Sequence, residues 1–318
     1  MLMRSQAQLS DETLYLGANI YYWGEQEIRY LLLHGLKSWA SKSRSEGLSD
    51  FFWWTRFDAR GPHIFTIFSA ANKGKGEQLR QLLNHWIEYF LLTQSSTVEL
   101  DSRLLEERHR NCRGGKMCIA DTPDEIAPNN TFQMFSHHPA NYPLSLVAGM
   151  QNKREFLGHL DRLAFRAIHE AQAEDVFSTA IRWIAEIDQV LPLCNVSPED
   201  YWFFHLSTLF VFSDSKHWRE RRNSFLSHLP KMLSEGNRIS IAKTWLIQSQ
   251  HSAGTDTYDL VRSVLAEDGR TLDDRYMVLR QINHQLLLQI GLLGKFEIPL
   301  VLYAWFRSLS SHARGITA

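Results

Sequence analysis

The chain has 318 residues, 44% hydrophobic, 12% aromatic and 22% charged, and its 34 Lys+Arg against 35 Asp+Glu leave a formal charge of −1 at pH 7. That balance argues against bulk charge as the means of holding nucleic acid or a membrane surface, and the apolar content is far from the signature of disorder. At this length two packed units are expected, because a single core usually stops growing at roughly 250–300 residues.

The N-terminal MLMRSQAQLSDE turns polar almost at once, so it does not read as a secretory segment. Thr13 to Trp23 is β-rich, and Glu25 to Ser41 then places Ile28, Leu31, Leu32, Leu36 and Trp39 on one helical face. Two aromatic and β-branched runs follow, Asp50 to Phe57 and His63 to Ser69, separated by Asp58, Arg60, Gly61 and Pro62, which predicts a hairpin. Asn72 to Gly76 leads into a second amphipathic helix carrying Leu79, Leu82, Leu83, Trp86, Ile87, Phe90 and Leu91, and Thr97 to Leu100 reads as a fourth strand. The sum is β-α-β-β-α-β, the split-βαβ or ferredoxin-like arrangement, with further candidate strands at Leu104 to His109 and Lys116 to Ala120. Asp121 to Asn130, rich in Pro, Asn and acids, reads as a surface connection. From about Lys153 the apolar stripes are helical throughout, and Ser197 with Pro198 and Asp200 marks one helix start. The expected class is α+β: an α/β ferredoxin-like part over residues 1–130 and an α-helical part over 131–318.

Cys112, Cys118 and Cys194 are an odd number without paired spacing, so neither a disulfide framework nor a cysteine-rich zinc site is suggested, and a cytoplasmic setting is expected. The longest apolar stretch, Ile282 to Phe306, is interrupted by His284, Gln285, Gln289, Lys295 and Glu297, short of the ~20 apolar residues a membrane span needs. No P-loop, dinucleotide-binding, HExxH or GxSxG motif is present, and Gly74-Lys75-Gly76 lacks the strand-loop-helix spacing of a phosphate loop. The His137-His138 pair reads as surface polarity, since neighbours on a strand point to opposite faces and cannot readily chelate one metal. Arg219 to Arg222, interrupted by Glu220, reads as a solvated helix face, and Glu107 with His109, flanked by Arg108 and Arg110, as a surface ion-pair ladder. No metal and no cofactor is implied.

The segment Trp53 to Phe68, WWTRFDARGPHIFTIF, is more distinctive. Arg56 alternates with Trp54 and Phe52 and shares their face, so it either pairs with an internal acid or faces a cleft and holds an anionic or amide group. His63 opens the second hairpin strand, as a hydrogen-bonded hairpin residue or as a site group.

This segment resembles the motif wFFiRY-D-x-x-GPHLRLRF of the C-terminal elimination domain of lantibiotic dehydratases and of stand-alone thiopeptide-type biosynthesis proteins. Arg280 to Gly291, RQINHQLLLQIG, followed by Glu297 and a last helix, looks like the closing HMHxNRL-x-G segment of that family. The departures are informative. The arginines that the family associates with glutamyl-ester recognition and β-elimination fall at Phe65, Ile67 and Gln285, and the Y-E-x-E-x-x-RYGG stretch is absent, so glutamate elimination is disfavoured. Within the family, the thiopeptide pyridine synthases are the branch expected to lack those residues. The resemblance therefore implies a formal aza-[4+2] cycloaddition between two dehydroalanines of a precursor peptide, closing a macrocycle and releasing water and the leader peptide.

The site residues that this implies are Arg56 and His63 on the hairpin, His138 and Tyr142 in the interdomain loop, and His284 on a C-terminal helix, with Trp53, Trp54 and Tyr22 as ring platforms for the substrate. The expected partners are the precursor peptide, leader and core, and other enzymes of the same pathway, with no direct nucleic acid and no membrane. Two other readings stand beside this one: a glutamyl-ester elimination partner of a split dehydratase, and a non-catalytic subunit that captures a leader peptide by strand addition.

Overall fold

The computed structural model describes residues 14–315 apart from 58–59, 102, 104, 107–124, 138–140, 142, 148–149, 151, 174, 211–234, 249, 251–252, 267–268 and 293. The fold is mixed α and β and mostly helical, and it divides into two compact units. One comprises Met1–Gly149 and Lys153–Gln172, the other Met150–Asn152 and Ala173–Ala318.

The first unit runs β1 (Tyr15–Tyr21), α1 (Glu25–Tyr30), a π-helical turn (Leu31–Leu36), α2 (Lys37–Ser45), β2 (Ser49–Phe57), β3 (His63–Ala70), α3 (Lys73–Thr93), β4 (Thr131–His137) and α4 (Lys153–Ala173). The strands form one antiparallel sheet in the order β2-β3-β1-β4. Alternation sends Leu16, Ala18, Ile20, Phe52, Trp54 and Phe68 to one face, where helices cover them. Trp39 of α2 meets Phe68 edge-on at 4.7 Å, Phe165 of α4 lies 5.6 Å from Phe52, and the Trp54 indole donates to the Ala164 carbonyl at 3.1 Å. The opposite face carries Tyr21, Trp53, Phe57, His63, Phe65, Phe135 and His137, most of them buried as well. Burial on both faces is why β2 and β3 read as continuous apolar runs instead of alternating patterns.

Two local devices hold this sheet. At the β2 edge, Asp161 of α4 accepts from the Phe52 amide at 3.0 Å and from Arg44 at 2.5 Å. A ladder donor that would otherwise be exposed is thereby satisfied by a side chain. Burial raises the Asp161 carboxyl above its ordinary value, against the opposing effect of Arg44. On the aromatic face, the Phe135 ring lies across β1 to stack on Phe65 at 5.5 Å. Only the missing Cβ of Gly17 makes room for it: a Cβ there would meet the ring at 2.1 Å.

The fourth strand is not where the sequence pattern puts it. Residues 95–100 are irregular, and the strand is Thr131–His137, paired with β1 from Tyr15↔His137 to Tyr21↔Thr131. The reason is a polar clasp. Asn130 accepts from the Ser96 amide at 2.7 Å and donates to its carbonyl at 2.8 Å, while Asn129 donates to the Val98 carbonyl at 3.0 Å and accepts from the Trp23 amide at 2.9 Å. These side chains satisfy the backbone at Ser96 and Val98 that a strand would have used. Leu105 and Glu106 are helical, and the candidate strand at Lys116 to Ala120 lies outside the described residues.

The second unit is helical among the described residues: α5 (Val176–Val190), α6 (Pro198–Phe210), α7 (Glu235–Gln248), α8 (Thr255–Leu265), α9 (Leu272–Gln289) and α10 (Gly294–Gly315). Asp175, Ser197 and Thr271 cap α5, α6 and α9 by accepting first-turn amides. Helix α6 packs on α10 through Phe203 and Trp305, 4.9 Å apart, and Trp202 and Trp305 are fully buried. No helix among the described residues is long and apolar enough to cross a membrane.

Gly17→Ala should lower stability by about 1–3 kcal/mol through overpacking, read as a shift in the urea unfolding midpoint. Adding Phe135→Ala should recover part of that loss in a double-mutant cycle, since it removes the colliding ring.

Candidate functional site

Helix α9 presents Tyr276, Arg280, Asn283 and His284 at helical spacing, and all but His284 are classed as buried. Helix α6 supplies Tyr201 and His205 one turn apart, and α10 supplies Glu297 from its first turn. The Glu297 carboxylate, 1% exposed, is the centre of the group. His205 Nε2 donates to Oε1 at 2.8 Å and His284 Nδ1 donates to Oε2 at 2.5 Å. With Nε2 carrying the proton, His205 Nδ1 is an acceptor, and Asn283 Nδ2 donates to it at 3.4 Å. His205 is sealed by Trp202, stacked 6.0 Å away, and by Tyr201, edge-on at 6.0 Å.

Burial alone would raise the Glu297 carboxyl, but the charge of His284 and hydrogen bonds from both rings reverse the sign and hold it far below the carboxylate range. Burial lowers His205, which therefore stays neutral at pH 7 and acts as a fixed donor. His284 differs from both. Its side chain is 15% exposed, and the carboxylate engages Nδ1, leaving Nε2 as the nitrogen able to take or give a proton. A histidine oriented by a buried carboxylate is the arrangement used for general acid–base work, with the carboxylate fixing tautomer and ring plane. Among the described residues no group of three or more His, Cys, Asp or Glu side chains could hold a metal ion.

Of the other residues singled out in the sequence, Arg56 binds Glu25 of α1 through Nη1, at 2.9 and 2.7 Å to the two carboxylate oxygens, so its acid partner is an exposed carboxylate at the rim of the covered face. Its Nε and Nη2 are buried without partners among the described residues. His63 lies on the other face of the hairpin, since its cross-strand partner is Phe57. Its Nδ1 donates to the Gly61 carbonyl at 2.9 Å, its ring lies 4.8 Å from Tyr21, and burial pushes its pKa down to about 4. Trp53 is buried against Phe65, Trp54 is fully buried, and the Tyr22 hydroxyl donates to the Gln94 carbonyl. His137 is buried on the aromatic face beside Phe65 and Phe135, which departs from the surface reading of that pair. His138 and Tyr142 lie outside the described residues.

Sequence reasoning reached His284 but not His205, Asn283, Tyr201 or Arg280. The available signal was polar residues standing on otherwise apolar helical faces, as His205 does within YWFFHLSTLF.

No protein-family model matches the chain, and no curated protein matches it in sequence. Among solved structures it is similar to a pyridine synthase, TbtD, from thiomuracin biosynthesis, with 16% identity, coverage of 95% of this chain and 98% of that one, and a TM-score of 0.60. A second similar structure is TsrL, at 11% identity, 95% coverage of each chain and a TM-score of 0.44. The first of these is a likeness of fold that includes both the sheet-bearing and the helical part.

Acid should weaken this protein through its buried histidines. His63 and His205 both have folded pKa values below their unfolded ones, so the unfolded chain binds more protons and stability falls as pH drops below about 6.5. His63 alone accounts for about 2 kcal/mol between pH 7 and pH 5. Urea unfolding of His63→Asn, which keeps a donor near the Nδ1 position, should show a correspondingly flatter pH dependence. Glu297 acts in the same direction at lower pH, its contribution being lost as acid titrates the folded carboxylate. Glu297→Gln should cost about 3 kcal/mol at pH 7, measured by chemical denaturation, because both imidazoles lose the charge they face.

Proposed function

We propose that this chain is an enzyme that modifies ribosomally made peptides, of pyridine synthase type, acting on a precursor peptide that carries two dehydroalanines. The observation that carries the reading is the partly exposed His284 braced by the buried Glu297, a proton-transfer centre in a fold like that of TbtD. The replacement of the glutamate-recognising arginines by Phe65, Ile67 and Gln285 favours this branch over glutamate elimination. We also read the sheet part as a split-βαβ unit of ferredoxin type, a reading supported by the order β2-β3-β1-β4.

The chemistry asks for orientation first. One dehydroalanine and the amide before it, drawn into its imidic acid form, act as an azadiene, and the second dehydroalanine acts as the alkene. Two carbon–carbon bonds form, and loss of water and of the leader as its carboxamide then aromatises the ring. Holding the two alkenes in register contributes up to roughly 7–11 kcal/mol. The remaining steps are proton transfers at an amide oxygen, an amide nitrogen and a ring carbon, which suit an imidazole with one nitrogen fixed and the other free. In this scheme His284 Nε2 carries the proton, Glu297 holds the ring plane, and His205 with Asn283 holds Glu297.

The test is mass spectrometry of a leader-bearing peptide containing azoles and dehydroalanines after incubation with the full chain. The expected result is release of the leader as a carboxamide with a core lighter by leader amide and water. His284→Gln should lower the rate of that release by about 10²–10⁴-fold with peptide affinity retained. Conversion of a glutamylated peptide alone, or tight binding with unchanged mass, would overturn the proposal in favour of an elimination partner or a binding subunit.

A further inference from the structure

Three buried polar atoms beside the Glu297 cluster have no hydrogen-bond partner among the described residues: Tyr201 Oη, Arg280 Nε and Asn283 Oδ1. Tyr201 and Asn283 are wholly inaccessible, and Arg280 is 8% exposed. The ion pairs among the described residues do not include Arg280, and its buried Nε–H is costly to leave without an acceptor. Asn283 and His284 follow Arg280 at three and four residues along α9, so the three side chains share one face. The Tyr201 ring meets that of Tyr276, one turn before Arg280 on α9, edge-on at 5.6 Å, which brings α6 and α9 together at this point.

We infer that Arg280 and Tyr201 form a carboxylate-binding subsite next to His284, which takes a carboxylate of a peptide, at its C-terminus or on a side chain. The donor set supports this. Burial raises the Tyr201 phenol well above its ordinary pKa, so it is an O–H donor, and the guanidinium offers a planar fork that fits a planar monoanion. Asn283 Oδ1 is an acceptor, and a peptide acid supplies the matching amide N–H within the same residue. A phosphate fits less well, because a dianion would stand close to the ionised Glu297, whose own charge already acts on Tyr201. Arg280 is also not the position of the closing arginine of the elimination enzymes, which falls at Gln285.

Such a subsite leaves a signature that a structural role does not. In the unliganded protein Arg280→Met removes a buried charge with no anionic partner among the described residues and Tyr201→Phe a buried hydroxyl with no partner among them, so neither variant should lower the melting temperature, and Arg280→Met should raise it. The experiment is calorimetric titration of the full chain with N-acetylglycine, with N-acetylglutamate α-amide, and with N-acetylglycinamide as the uncharged control. At least one acid should bind about tenfold or more tightly than the control, and the tighter acid identifies a C-terminal or a side-chain carboxylate as the source. Arg280→Met should weaken that acid about tenfold or more, and Tyr201→Phe by about threefold to tenfold. Equal binding of acid and amide, or variants that lose thermal stability while acid affinity is unchanged, would overturn the subsite and leave these atoms to internal water or packing. The titration needs no turnover, so its result is separate from that of the peptide conversion.

Discussion

A carboxylate that is 99% removed from solvent has to be compensated where it stands, and Glu297 organises the helical unit for that reason. Its two oxygens take one donor each from α6 and α9, so three helices must meet at one point with hydrogen-bond accuracy. The demand propagates outward: His205 must be neutral with its proton on Nε2, Asn283 must then donate to Nδ1, and Trp202 and Tyr201 must close over the ring. Apolar packing of α6 on α10 supplies adhesion, but the polar chain sets rotation and register, since a helix turned by one residue would bring a different side chain to Glu297.

The sheet unit meets a different constraint, burial on both faces. A sheet covered on one side can leave polar residues on the other, whereas this one fills its second side with Tyr21, Trp53, Phe65 and Phe135. Ring must then fit against ring, which is why a single missing Cβ at Gly17 matters, and why His63 is held as a neutral aromatic group with its one proton committed to Gly61. Arg56 is the exception on the helix-covered face, and Glu25 answers it from the first turn of the neighbouring helix.

Legibility followed locality. The hairpin, the helices after β1 and β3, and the Ser197 cap could all be read because their determinants lie within a few residues of one another. The fourth strand could not, because Asn129 and Asn130, in a stretch that reads as a surface connection, occupy the backbone near Ser96 from more than thirty residues away. At the candidate site His284 was legible through its place in a closing segment. Its support was not: Glu297 was seen as an interruption in an apolar stretch and as a residue following the closing segment, with no role, and His205 lies 92 residues from it in the chain. A polar residue in an apolar helix signals that a partner exists without naming it.

The π-helical turn at Leu31–Leu36 carries one residue more than an α-helical path of the same rise, with Lys37 bonded back to Leu32. That surplus residue turns the helix before it by about 100° relative to the helix after it. Helix α2 sets Trp39 against Phe68, and α1 is thereby swung to where Glu25 reaches Arg56. Losing a single residue within that turn would yield a more regular helix and a worse protein: the core contacts of α2 would persist, while the acid at the far end would rotate off its arginine and leave a strand guanidinium with no counter-charge. Insertion and deletion at this position are therefore not neutral length changes but a coarse angular adjustment of the far end of the helix.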